Sequence, residues 1–134
     1  MQIHWLAVLV ASVAGFLVGG LWYGPIFGKA WMKERGFTPE SAKQGANLPL
    51  TFGLTFLLNL FSALALDHLF NSYDAPMDFH HSMIIVALVA IGFVIPAFGV
   101  NYLFSRMSRA LFLIDAGYWL AIYLTIGAVF GVLR

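Results

Sequence analysis

Asp115 interrupts a long apolar run, Leu111 to Leu133, and Tyr118 follows it within one helical turn on the same face. A carboxylate inside hydrocarbon is costly, so a residue of this kind needs a partner or a purpose. The polar and aromatic groups expected at the same depth are Trp22 and Tyr23 at the end of a first apolar run, Asn101 near the end of a third, and Lys29, Arg106 and Arg109 just beyond. Converging on one half of a helical bundle, Trp22, Tyr23, Lys29, Asn101, Arg106, Asp115 and Tyr118 would bind a small solute or ion, or relay a proton. Pairing of Asp115 with a cation such as Arg106, Arg109 or Lys29, or with Asn, Tyr or Trp donors, gives it a structural role instead. Asn59 lies in the middle of another apolar run, where an interhelical hydrogen bond is the simpler role and a ligand contact the other.

A second set of chemical groups lies at the opposite ends of these runs. Asp78, His80 and His81, with His68 and Asp67, are ligand types suited to zinc or a similar divalent metal. Adjacent histidines splay apart on a helix, so one site would combine His80 or His81 with His68 or His4. Solvated loop residues account for the same pattern. The chain has no phosphate-binding glycine loop, no HExxH and no serine nucleophile elbow, so neither an enzyme nor an organic cofactor is expected. Zero cysteines exclude disulfides and thiolate sites, and a net charge of +1 excludes a basic nucleic-acid binder.

The elements that must position these groups follow from composition. Of 134 residues, 61% are hydrophobic and only 10% charged, and the mean hydropathy is +0.87. Soluble domains carry roughly 25% charged residues. A bilayer core about 30 Å thick is crossed by about 20 apolar residues in a helix. Four runs have that length: residues 3–23, 49–70, 83–104 and 111–133, within a single membrane domain of residues 1–134. The runs lack the alternation of a barrel strand, and an open sheet would leave backbone groups unpaired in lipid. The expectation is an all-α integral membrane four-helix bundle. No Lys or Arg precedes the first run, which ends in Trp22-Tyr23, so it reads as a retained helix and not as a cleaved signal.

Six of the seven basic residues, Lys29, Lys33, Arg35, Lys43, Arg106 and Arg109, fall in the first and third connections. The positive-inside rule then places both connections in the cytoplasm and both chain ends, with the Asn71 to Ser82 connection and the histidines, outside. In the longest connection, Ile26, Phe27, Ala30 and Trp31 oppose Lys29, Lys33 and Glu34, which suits a short interfacial helix between the first and second spans. Thr38-Pro39-Glu40-Ser41 then reads as a helix start, ending near Gly45.

Small residues set the expected packing. Ala11, Gly15 and Gly19 recur every four residues, as do Gly20, Gly24 and Gly28, and Gly127-x-x-x-Gly131 marks the last span. Such faces let two backbones approach closely. The first-span glycines suit internal packing, whereas Gly127 and Gly131 are the better candidates for self-association. Pro96, near Gly92 and Gly99, marks a kink in the third span. An offset of 77 aligns Gly15-Phe16 with Gly92-Phe93 and Lys29 with Arg106, which a parallel duplication of a helix pair or chance among apolar residues would produce.

The segment Gly20-Leu-Trp-Tyr-Gly-Pro-Ile-Phe-Gly-Lys-Ala-Trp-Met-Lys33, followed by Gly92-Phe93, Asn101-Tyr-Leu-Phe104 and Phe112-Leu-Ile-Asp115-x-x-Tyr118, resembles the bacterial membrane family known as domain of unknown function 1761. The resemblance covers essentially the whole chain. It implies a compact four-helix protein of the bacterial cytoplasmic (inner) membrane and brings no activity or catalytic residue with it. Partners expected from the residues are the lipid bilayer, a second copy of the chain and an unidentified small molecule, with no nucleic acid. The leading functional expectation is a homo-oligomeric transporter or channel-like protein. The alternative is a non-enzymatic module that binds lipid, small molecule or protein through its glycine-rich faces.

Overall fold

The computed structural model describes residues 2–74 and 77–134, all of whose regular structure is helical. Residues 75 and 76 of the Asn71 to Ser82 connection lie outside the described residues. Four helical stretches are long and apolar enough to cross a membrane: Trp5–Ile26, Leu48–Asn71, Phe79–Phe104 and Arg109–Leu133. The protein is thus an all-α membrane four-helix bundle.

The first span is α1 (Trp5–Leu21) and a π turn over Trp22–Ile26 that contains Pro25. Proline has no N–H for the carbonyl four residues back, so the hydrogen-bond ladder widens to five, and Phe27 N–H donates to the Trp22 carbonyl at 2.7 Å. Two short helices follow, α2 (Gly28–Arg35) and α3 (Pro39–Lys43), the latter started by a Thr38–Ser41 capping box with Pro39 in its first turn. The second span is α4 (Leu48–Asn71). The third is α5 (Phe79–Val89), a second π segment over Ala90–Val94, and α6 (Ile95–Phe104). This second widening lies just before Pro96, where the sequence predicts a kink. The fourth span is α7 (Arg109–Leu133). The third span begins earlier than its apolar run because Asp78 caps it, which draws His80 and His81 into its first turn.

The spans pack in the order α4, α1, α7, α5, with α7 between α1 and α5. Accordingly α7 carries a buried residue on every turn, including Leu111, Ile114, Tyr118, Ile122, Ile126 and Phe130. The second and third spans share no contact comparable to that between the first and fourth. A parallel duplication requires that equivalence, so the packing does not carry it. Leu57, Leu58, Phe61, Phe93 and Leu103, all more than half exposed, form apolar outer faces suited to lipid.

Gly127 and Gly131, expected at a contact between copies, are occupied within the chain. A Cβ at Gly127 would lie 2.4 Å from Val86 Cγ2, and one at Gly131 would lie 2.8 Å from Phe79 Cα. The close approach also lets Ser82 Oγ donate to the Gly127 carbonyl at 2.6 Å. In a bilayer, where apolar burial between helices gains little, such packing and hydrogen bonding hold helices together. Gly15 and Gly19 pack against Ile122, Ile126 and Tyr118 as expected, whereas Gly20 and Gly24 have nothing within 4 Å of an added Cβ.

Candidate functional site

The basic connections meet at one end of the bundle, where Ser108 Oγ donates to Glu34 Oε2 at 2.6 Å. Just inside this end, Asp115 is 6% exposed on α7. Its two carboxylate oxygens accept hydrogen bonds from the hydroxyls of Tyr23 and Tyr102. Among the described residues, no Lys, Arg or His forms a salt bridge with it. Asp115 is therefore supplied with hydrogen bonds and, among the described residues, with no salt bridge.

Local sequence explains this arrangement. Trp22 anchors the π turn to α7: its indole Nε1–H donates to the Ile114 carbonyl at 2.9 Å, and its ring lies where a Cβ on Gly117 would sit, 2.6 Å from Trp22 Cζ2. With Trp22 fixed on one side of Asp115, Tyr23 reaches the carboxylate from the next position. Tyr118, one turn along α7, packs with its ring tilted 50° and 4.8 Å from that of Tyr23 and rests on Gly19. Tyr102 comes from α6, its ring held by Phe98 and Phe112 at 5.3 and 6.2 Å.

These groups line a cavity of about 610 Å³, whose walls include Tyr23, Tyr102, Asp115, Tyr118 and Trp119 from the spans and Trp31, Met32 and Arg35 from α2. Arg35 lies over the rings of Trp31 and Phe37, at 5.9 and 5.2 Å from their centroids. A second groove of about 530 Å³ runs between α1 and α4 beside Gly20, Gly24, Thr51 and Thr55. Tyr23 and Tyr118 line both spaces, so this ring pair forms the partition between them.

The predicted cluster is thus assembled in part. Tyr23, Asp115 and Tyr118 converge, and Trp22 supports them from outside the cavity lining. Asn101 and Lys29 are exposed and line no part of the cavity. Arg106 is exposed too; with φ of 56° it ends α6 in a left-handed conformation that glycine more often adopts. Of the partners expected for Asp115, Arg106, Arg109 and Lys29 form no salt bridge with it among the described residues, and tyrosine hydroxyls are the donors. Asn59 is 3% exposed on α4, yet its Nδ2 has no hydrogen-bond partner among the described residues, so the expected interhelical bond is not made through that atom. Sequence reasoning missed Tyr102. The signal was its spacing of four from Phe98, which puts it on the aromatic face, whereas Asn101 points about 100° away around the helix.

At the other end, the candidate metal ligands do not assemble. No group of three or more His, Cys, Asp or Glu side chains is placed to hold a metal among the described residues. Asp78 instead caps α5, accepting from the His81 backbone N–H at 2.8 Å, and its carboxylate also lies 2.8 Å from His81 Nδ1. These bonds to His81 hold the Asp78 carboxyl below its ordinary value. His68 and His80 stand exposed beside this end. Asp67 takes a structural role: only 1% exposed, it accepts from the His4 backbone N–H at 3.2 Å and from Arg134 Nε at 3.2 Å, with His4 Nδ1 at 3.0 Å.

The family model described as a protein of unknown function (DUF1761) matches residues 6–131. The chain belongs to this family. The match reaches into all four spans and takes in the whole Asp115 cluster, so the cavity lies within the shared domain. No curated protein and no solved structure matches the chain.

Proposed function

We propose that this DUF1761 protein is a carrier-type membrane protein that binds a small solute in the cavity against Asp115. The observation that supports this reading is a buried carboxylate with two hydroxyl donors and, among the described residues, no salt bridge, on the wall of a space of about 610 Å³. Small-molecule sites enclose about 300–1,000 Å³ and combine apolar walls with a few placed polar groups. An aspartate serving architecture alone is expected to resemble Asp67, which has Arg134 beside it.

A carrier fits better than an open channel. Beyond the cavity the bundle is filled by Val8, Ala11, Ile122, Ile126 and Phe130, each buried. Passage to the far end therefore requires the helices to rearrange. In this reading the basic end faces the cytoplasm of the bacterial inner membrane, following the charge of its two connections. Self-association belongs to the transport step and uses a surface other than Gly127 and Gly131; the binding step needs one chain. The reaction is binding and release without covalent chemistry. The open groove at Gly20 and Gly24 supports a second reading, contact with a lipid chain, in keeping with a glycine-faced binding module.

Thermal-shift measurements on protein in lipid nanodiscs, across cationic, zwitterionic, neutral and anionic small solutes, test the binding step. A solute at a hundred times its Kd stabilises the folded state by about 2.7 kcal/mol. The expected result is a solute class that stabilises the wild type and not Asp115→Asn. Absence of stabilisation by every class overturns the reading.

A further inference from the structure

Resting on the binding reading above, we infer that the solute class is a small organic ammonium ion, received in an aromatic cage whose one anionic group is Asp115. Tyr23, Trp31, Tyr102, Tyr118 and Trp119 all line the cavity, and Asp115 lies among them. Aromatic faces carry negative quadrupole density, and sets of them converging on one space hold quaternary ammonium groups. A carboxylate at the wall adds the negative charge with which such a guest would pair once Arg35, on the same wall, is displaced, and within a membrane this charge is weakly screened.

Arg35 shows that the wall already accepts a cation: itself exposed on α2, it holds its guanidinium 5.9 Å from the Trp31 centroid. It lies on α2, outside the spanning helices. A cationic guest and Arg35 then compete for the Trp31 face. The same charge would assist an anion or a zwitterion, so Arg35 discriminates among the classes.

Calorimetric titration of the full chain in nanodiscs with choline, with its uncharged tert-butyl analogue and with glycine betaine tests the assignment. Choline is expected to bind at least about tenfold more tightly than the uncharged analogue. Trp31→Leu, outside the spanning helices and making no hydrogen bond to Asp115 itself although its ring packs edge-on at 6.0 Å from Tyr23, is expected to weaken choline about tenfold while the circular dichroism spectrum is unchanged. Arg35→Gln is expected to tighten choline about threefold. Equal binding of choline and the uncharged analogue overturns the cation assignment while the binding reading stands. Betaine binding more tightly than choline, with Arg35→Gln weakening it, overturns the assignment in favour of a zwitterion. Absence of saturable choline binding to folded wild type overturns it outright, and a response elsewhere in the broader solute panel then separates that failure from failure of the site.

Discussion

Asp67 and Asp115 are both buried in spanning helices, and the protein satisfies them in opposite ways. Asp67 meets a guanidinium: Arg134 Nε lies 3.2 Å from its carboxylate, and the Arg134 side chain also reaches Asn71 and stands 5.6 Å over the Phe70 ring. Among the described residues, Asp115 receives only the two tyrosine hydroxyls. Removing one partner of a buried pair leaves an uncompensated charge, so Arg134→Gln is expected to cost about 3 kcal/mol in chemical unfolding of the detergent-solubilised protein. Lys29→Gln and Arg106→Gln remove exposed charges and should change stability by no more than about 0.5 kcal/mol. Near-equal losses for all three would show that Asp67 does not depend on Arg134. The apolar runs revealed Asp115, Tyr23 and Tyr118 because a polar group in hydrocarbon stands out. They did not reveal the Asp67–Arg134 pair, which joins residues 67 positions apart and depends on how the helix ends meet.

At the scale of elements, the span boundaries and the Thr38 cap were legible because each follows from local chemistry: apolar length, a capping side chain, a proline in the first turn. The π turn at Pro25 and the use of Gly127 and Gly131 were not, since a small-residue stripe marks a close approach without naming the helix that makes it. Gly127→Leu collides with Val86 and is expected to lower the yield of folded monomer, whereas Gly20→Leu, with open space around its Cβ, should be tolerated. Size-exclusion chromatography distinguishes these outcomes from the dissociation of an intact oligomer. The start of α5 should respond to pH through Asp78. Its carboxyl is held below 3.8 by the His81 bonds, so the cap contributes fully above that value and is lost as pH falls through the lowered one. Faster hydrogen exchange at the His81 amide below about pH 4, corrected for intrinsic rates, is expected in the wild type. Asp78→Asn retains a capping oxygen and should remove this pH dependence. A wild-type profile flat across that range would show that the ionised form is not what holds the turn.

Across the whole molecule, charge is distributed by end. Six of seven basic residues lie in the two connections joined by Ser108 and Glu34, and the seventh, Arg134, is paired with Asp67 at the opposite end. The exception to the charge asymmetry is thus neutralised where it stands, so the net bias toward the basic end is stronger than a count of side chains suggests. Positive connections are retained on the cytoplasmic side during insertion. The absence of cysteine makes the orientation directly measurable, because a single introduced thiol is the only one in the chain. Ser72→Cys and Ser105→Cys place exposed thiols at the two ends. A membrane-impermeant maleimide is expected to label the first in intact cells and the second only after permeabilisation. The reverse pattern would place the Asp115 cavity toward the outside and make it a site for capturing solute from the medium.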